Sequence, residues 1–138
     1  MVIDKDFLEQ LFLQAAENPR KRMNFDMRTS TEDGSQRMLN AILPGSVVAI
    51  HRHPRSNENM ILLTGKLDVV LYEEVADCGD VPRKERMKEV ERYHLCVAEG
   101  KYGCQVQKGV WHTVEVIEPS VIYEAKDGKY GEDGSEGV

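Results

Sequence analysis

Residues 45–65 read GSVVAIHRHPRSNENMILLTG. Two histidines, His51 and His53, stand two residues apart, with Glu58 five residues further on and Gly45 and Gly65 framing the stretch. On an extended strand, residues i and i+2 point to the same face, so His51 and His53 aim two imidazoles at one point. Pro54, Ser56 and Asn57 carry turn chemistry, after which a returning strand brings Glu58 to the same place. Two neutral imidazoles and a carboxylate suit a divalent transition metal. The chain has four histidines. The last of them, His112 in Gly109-Val110-Trp111-His112, completes the set if a barrel folds that distant segment back beside the first.

Outside this stretch the pattern is that of short strands. From residue 23 the apolar period is two: Leu39, Ala41 and Leu43 alternate with Met38, Asn40 and Ile42. Turn signals recur at Pro44-Gly45, Thr64-Gly65, 77–80, Glu99-Gly100, Lys108-Gly109 and Pro119-Ser120. Between them, runs rich in Val, Ile, Leu and Tyr at 47–53, 59–63, 66–72, 91–97, 111–117 and 121–126 read as strands of an antiparallel sandwich or barrel. Residues 4–17 have helical spacing through Phe7, Leu8, Leu11, Phe12 and Ala15, with Asp6 and Glu9 as an Asp version of a capping box and Asn18-Pro19 as the stop. That helix needs cover for its apolar face, from the barrel or from a second subunit.

The spacing Gly-x5-His-x-His-x4-Glu-x6-Gly resembles the first motif of the cupin superfamily without departure. The second cupin motif, Gly-x5-Pro-x-Gly-x2-His-x3-Asn, is matched at Gly109 and His112, while Lys101, Gln107 and Val116 replace its first glycine, its proline and its asparagine. A narrower resemblance, to WbuC-type cupin metalloproteins, runs through the opening helix, 18–24, 36–39, Pro44-Gly45-Ser46 and the ending Tyr123-Glu124-Ala125-Lys126, followed by Gly128 and Tyr130. Lys129 stands where that ending usually has proline. The resemblance implies an all-β cupin barrel (a double-stranded β-helix or jelly roll) with one N-terminal helix. It divides the chain into a helix and arm at 1–22 and a barrel at 23–126; the glycine-rich, acidic composition of 127–138 reads as a disordered tail unless Tyr130 docks. It further implies a site holding one divalent metal through His51, His53, Glu58 and His112. Arg22, Asn24, Lys126 and Tyr130 match the family's polar segments and are the expected ligand-binding residues. The group is often associated with surface-polysaccharide genes, so a sugar or sugar acid is the expected ligand, and the reaction, if any, is left open among isomerase, lyase and oxygenase.

Composition narrows the classes. A chain of 138 residues with 41% hydrophobic residues supports one domain with one core. A net charge of −6 argues against a partner held through nucleic-acid phosphates. Cys78, Cys96 and Cys104 form an odd set with no framework spacing, which points to reduced thiols and a cytoplasmic setting. The N-terminal residues lack a signal-peptide pattern, and no apolar run approaches the ~20 residues that span a bilayer, so no membrane partner is expected. Nitrogen and oxygen ligands without thiolate suit Zn, Fe, Mn, Ni or Co. His94 matches neither motif and reads as structural. Residues 73–92 are the one long polar insert, read as a solvated loop or, through Arg83, Lys84 and Arg86, as a lid. Tyr123, Glu124 and Tyr130 are the acids and bases available beyond the ligands. Cupin relatives commonly pair through their sheets, which makes a homodimer the expected assembly.

Overall fold

The computed structural model describes residues 1–138. One helix, α1 (Lys5–Glu17), precedes eight strands: β1 (Arg22–Asp26), β2 (Ser35–Ile42), β3 (His51–Arg52), β4 (Glu58–Glu74), β5 (Met87–Cys96), β6 (Gly103–Val106), β7 (Trp111–Asp127) and β8 (Glu136–Gly137). All pairings are antiparallel. The expected β-rich architecture with a single N-terminal helix is present.

Two 17-residue strands, β4 and β7, organise everything else. They pair with each other from Asn59↔Ala125 to Tyr72↔Trp111. The first half of β4 and the second half of β7 form one layer with β6, β2 and β1. Their other halves form a second layer with β5, β3 and β8. The sheet is not closed: β1 and β6 edge one layer, β5 and β8 the other.

The turns expected at Thr64-Gly65 and Pro119-Ser120 are instead bends inside these long strands. The register shifts between Leu62 and Leu67, where the strands pass from one layer to the other. Gly65 has φ +98°, and a Cβ there would lie 2.3 Å from the Pro119 carbonyl oxygen. Only glycine accepts both the left-handed backbone and that approach. The Ser120 hydroxyl accepts from the Lys66 amide at 3.0 Å and donates to the Glu118 carbonyl at 2.7 Å, so the bend keeps its polar groups paired.

Alternation along β2 serves two cores. Leu39 and Ala41 face outward and pack with Leu11, Ala15 and Val121 under the helix. Ile42 faces inward and joins Met60, Leu62, Leu67, Val69, Val114 and Ile122 between the layers. The helix therefore covers its apolar face with the chain's own sheet. Its N-cap is Asp4, whose carboxylate accepts from the Phe7 amide at 2.9 Å, so the capping box expected at Asp6 and Glu9 is displaced by a start two residues earlier.

Three further expectations change. The strand expected at 47–53 contracts to β3, because residues 47–50 are held by side-chain and terminal contacts instead of a ladder: Thr113 Oγ1 donates to the Val48 carbonyl and the Val138 amide to the Ile50 carbonyl. The polar insert is part ladder and part connection, since β4 runs to Glu74 and β5 starts at Met87, with 75–86 between them. Arg83 and Arg86 do not form a lid. Arg83 pairs with Glu74 and stacks 4.7 Å from the Trp111 ring, and Arg86 donates to the Val81 and Val75 carbonyls. Residues 127–138, read from composition as a disordered tail, follow a defined path: β8 pairs with β3, and Asp133 is buried. Glycine and acidic content signal disorder only where a segment has nothing to dock on; here a buried ion pair anchors it. No helix is long and apolar enough to cross a membrane.

Candidate metal centre

The layer containing β3 and the first half of β7 supplies the histidines of the site, and the other layer supplies Glu58 through the start of β4. His51 and His112 are direct cross-strand partners. His53 follows β3, and its carbonyl accepts from the Gly109 amide at 2.8 Å, which ties the loop before His112 to the His-x-His segment. The intervening turn is pinned by Ser56, donating to the Asp127 carbonyl at 3.2 Å, and by Asn57, accepting from the Lys108 amide at 2.8 Å. Glu58 then opens β4. The four expected ligands meet: one ligand atom from each of His51, His53, Glu58 and His112 lies within 4.8 Å of every other. The ring centroids of His51 and His112 are 4.3 Å apart.

Each imidazole is oriented through Nδ1. His51 Nδ1 donates to the Ala49 carbonyl at 2.8 Å and His112 Nδ1 to the Val110 carbonyl at 2.9 Å. His53 Nδ1 lies 2.7 Å from Ser135 Oγ and 3.3 Å from Asp133 Oδ2. With Nδ1 carrying the proton in all three rings, each Nε2 lone pair is left to point at a common centre. The Nε2 atoms of His53 and His112 are buried and make no hydrogen bond. They face Glu58 at 2.9 and 3.4 Å, lone pair toward carboxylate, an arrangement that a cation between them satisfies. The donor set therefore fits a divalent metal.

Electrostatics agree with ligation. Burial first, and then the neighbouring His112, push His51 down to about 4, so its imidazole is neutral at ordinary pH, as a ligand must be. Burial alone would raise Glu58; positive charge held between it and the His112 and His53 rings, as a shared proton or as a bound cation, outweighs burial and keeps the carboxyl well below its usual range. Asp133 behaves likewise: burial opposes ionisation, and Lys126 and Ser135 overcome it. His94 lies elsewhere, 2.6 Å from Asp68 and 3.3 Å from Glu99, and takes no part in the cluster.

A cavity of about 300 Å³ opens beside the metal site. Glu58, Met60, Glu124, Asn40 and Met38 line it from one layer, His51 and Val114 from the other, and Arg20, Arg22, Asn24 and Tyr130 complete it. Three of the four expected ligand-binding residues, Arg22, Asn24 and Tyr130, thus share the cavity with His51 and Glu58. Lys126 does not line it. Its ammonium is buried on Asp133 at 2.6 Å, because the tail folds over it, and this leaves no free charge for an anionic ligand. Arg20 lines the cavity in its place, and its two-residue spacing from Arg22 was the available sequence signal. Of the acids considered, Glu124 is the one that faces the cavity among neutral partners. It accepts from Asn40 Nδ2 at 3.2 Å and Gln36 Nε2 at 3.4 Å and makes no salt bridge, since the nearby Lys126 ammonium is held by Asp133. Burial, followed by the charge of Glu58, pushes its carboxyl up to about 8. Trp111 points away from the cavity, as its parity predicts, and is clamped between Arg52 at 4.5 Å and Arg83 at 4.7 Å.

The family model described as Domain of unknown function (DUF6016) matches residues 3–86, and the chain belongs to that family. No curated protein matches the sequence. Among solved structures, the capsular polysaccharide assembling protein CapF from Staphylococcus aureus is 18% identical with a TM-score of 0.55, over 77% of this chain and 27% of that one. Oxalate oxidase in complex with the substrate analogue glycolate is 16% identical with a TM-score of 0.56, over 88% of this chain and 57% of that one. The protein TT1209 from Thermus thermophilus is 20% identical with a TM-score of 0.57, over 93% of this chain and 98% of that one. The chain spans under a third of the length of CapF. These likenesses establish the fold, which is that of a cupin.

Proposed function

We propose that this cupin binds one divalent transition metal through His51, His53, Glu58 and His112 and takes a small anionic ligand with vicinal oxygens, a sugar acid or related hydroxy acid, at the open metal positions. The carrying observation is that one cavity joins the four-ligand cluster to Arg20 and Arg22. Bound there, the metal would supply a Lewis acid for two chelating oxygens. The arginines offer planar donors suited to a carboxylate or phosphate, and Tyr130 and Asn24 add neutral hydrogen bonds. The named chemistry of two fold relatives, capsular polysaccharide assembly in one and bound glycolate in the other, supports a hydroxy-acid or carbohydrate ligand. The WbuC-type resemblance supports the same class. The metal is Zn, Fe, Mn, Ni or Co, to be identified by elemental analysis of protein purified without a chelating column. Calorimetry with glucuronate and glucose, on metal-loaded and metal-free protein, tests the reading. Glucuronate should bind only the loaded form and more tightly than glucose. Binding that ignores the metal would remove the proposal.

A second reading, an enzyme acting on that ligand, is favoured by Glu124. A carboxyl held by two amides, with no salt bridge of its own, in a cavity next to a metal is suited to exchange a proton with a bound ligand. Its test is solvent deuterium appearing at a ligand carbon with wild type and not with Glu124→Gln. A third reading, a metal that only stabilises the fold, has the open cavity against it.

For assembly we propose a homodimer through the outer sheet face, where Ile61, Leu63 and Tyr102 stay exposed. A light-scattering mass near 15.7 kDa at micromolar concentration would refute it.

A further inference from the structure

Two of the three histidines take their orientation from their own strand. The Nδ1 acceptors of His51 and His112 are carbonyls two residues upstream, so these rings are set once β3 and β7 form. His53 has no such local acceptor. Its Nδ1 reaches Ser135 Oγ at 2.7 Å, across 82 residues of sequence.

The hydrogen bonds beyond Ser135 run in one consistent direction. Ser135 Oγ lies 2.5 Å from Asp133 Oδ1, and an ionised carboxylate only accepts, so the serine hydroxyl donates to it. With its proton so used, Ser135 Oγ accepts from His53, which leaves the proton on Nδ1 and the lone pair on Nε2. The Ser135 amide donates to the same carboxylate oxygen at 3.2 Å. Asp133 is in turn held by Lys126 Nζ at 2.6 Å, and the side chains of this pair are almost wholly buried. Two further devices seat the segment. Gly128 has φ +86°, and a Cβ there would meet the Asp133 Cβ at 2.7 Å, so the chain reverses tightly onto Asp133. Beyond it, β8 pairs with β3 through Arg52↔Glu136 and His51↔Gly137, and the Arg52 and Glu136 side chains form an ion pair at 2.9 Å.

From these contacts we infer that the C-terminal segment 128–138 is a working part of the metal site: Ser135 and Asp133 are positioning residues for His53, Lys126 locks them, and metal binding and docking of the segment stabilise each other. The reason is one of reciprocity. A docked segment presents Nε2 of His53 in the right tautomer and direction and so tightens metal binding; by linkage, the metal favours the docked segment by the same factor. The same segment carries Tyr130 to the cavity. Ligand and metal are therefore bound by a structure that the last residues complete. This inference rests on the metal reading of the four-residue cluster.

The experiment uses full-length protein and the metal alone. Zinc affinity is measured by competition with a chromophoric chelator for wild type, Ser135→Ala, Ser135→Thr and Asp133→Asn, with cobalt absorption spectra of each. Amide hydrogen exchange is followed with and without zinc. Ser135→Ala and Asp133→Asn should weaken zinc binding by roughly 10–100-fold and alter the cobalt spectrum. Ser135→Thr, which keeps the hydroxyl, should recover most of the affinity. Zinc should slow exchange at 133–137 more than in β5, which no metal ligand touches. Affinities within twofold of wild type with unchanged cobalt spectra would overturn the inference, as would exchange at 133–137 that zinc does not change. Should Asp133→Asn fail to fold, Ser135→Ala decides, since it removes one hydroxyl and no charge. Wild-type protein that binds no zinc or cobalt at all would sink the metal reading itself, a result distinguishable from tail variants that bind as wild type does.

Discussion

Glu58 and Glu124 line the same cavity, yet their surroundings push them in opposite directions. Glu58 faces two imidazoles and is held ionised. Glu124, whose strand pairs with β4 beside Glu58 and places it opposite Met60, faces two side-chain amides and is held neutral over most of the ordinary pH range. Burial raises both; only Glu58 has partners that reverse it. The comparison teaches that a carboxylate's role is set by what its acceptor oxygens face, and not by its depth. On neighbouring strands of one layer, Glu58 is placed to hold positive charge and Glu124 to hold a proton.

The sharpest way to break this contrast is to remove the charge of Glu58. Glu58→Gln and His112→Ala each delete a ligand, and each should cost more zinc affinity than the roughly 100-fold upper range for outer-shell changes; chelator competition measures it. His94→Ala, outside the cluster, should leave affinity unchanged, and equal losses in His112→Ala and His94→Ala would dissolve the assigned ligand set.

Glu124 should respond through stability. A carboxyl whose folded pKa is raised binds more protons folded than unfolded, so its stabilising contribution is complete below about 4.5 and declines as pH rises toward about 8. Glu124→Gln removes that decline. Metal-free Glu124→Gln should therefore gain on wild type between pH 5 and 9, by an amount on the order of a few kcal/mol, read by urea unfolding at each pH. Its zinc affinity should stay close to wild type, in contrast to Glu58→Gln. A stability difference that does not change with pH would mean that Glu124 is ionised like Glu58.

The smallest expected effect is at the cavity's basic residues. Arg22→Ala should weaken glucuronate about tenfold on loaded protein and glucose hardly at all, because a charge-assisted hydrogen bond contributes about 1.5–3 kcal/mol and a rim arginine falls at the low end. Calorimetry on both sugars decides it, and equal weakening would place the anionic group elsewhere.

Legibility followed the range of the interactions. The His51-His53 pair was legible because strand periodicity alone puts both on one face, and Glu58 because a short turn returns the chain. The helix was legible from its apolar stripe, though its cap was placed two residues late. The two bends are not legible as such, since Gly65 and Pro119-Ser120 look like chain reversals when the strand on the other side of each is unknown. Lys126 was read as a free cation because nothing near it in sequence announces Asp133 as its buried partner.

By itself the sequence determined the strand-rich class, the single helix and the four residues that meet in the cluster, all of which depend on spacings of a few residues or on a motif with fixed spacing. Tertiary structure alone decided that Glu124 meets Gln36 and Asn40 across 84 to 88 residues, that Arg20 joins Arg22 at the cavity, and that Ser135 orients His53. Those pairings depend on which strands lie side by side and on where the tail docks. Burial and strand order are properties of the whole fold, and no local pattern of residues encodes them.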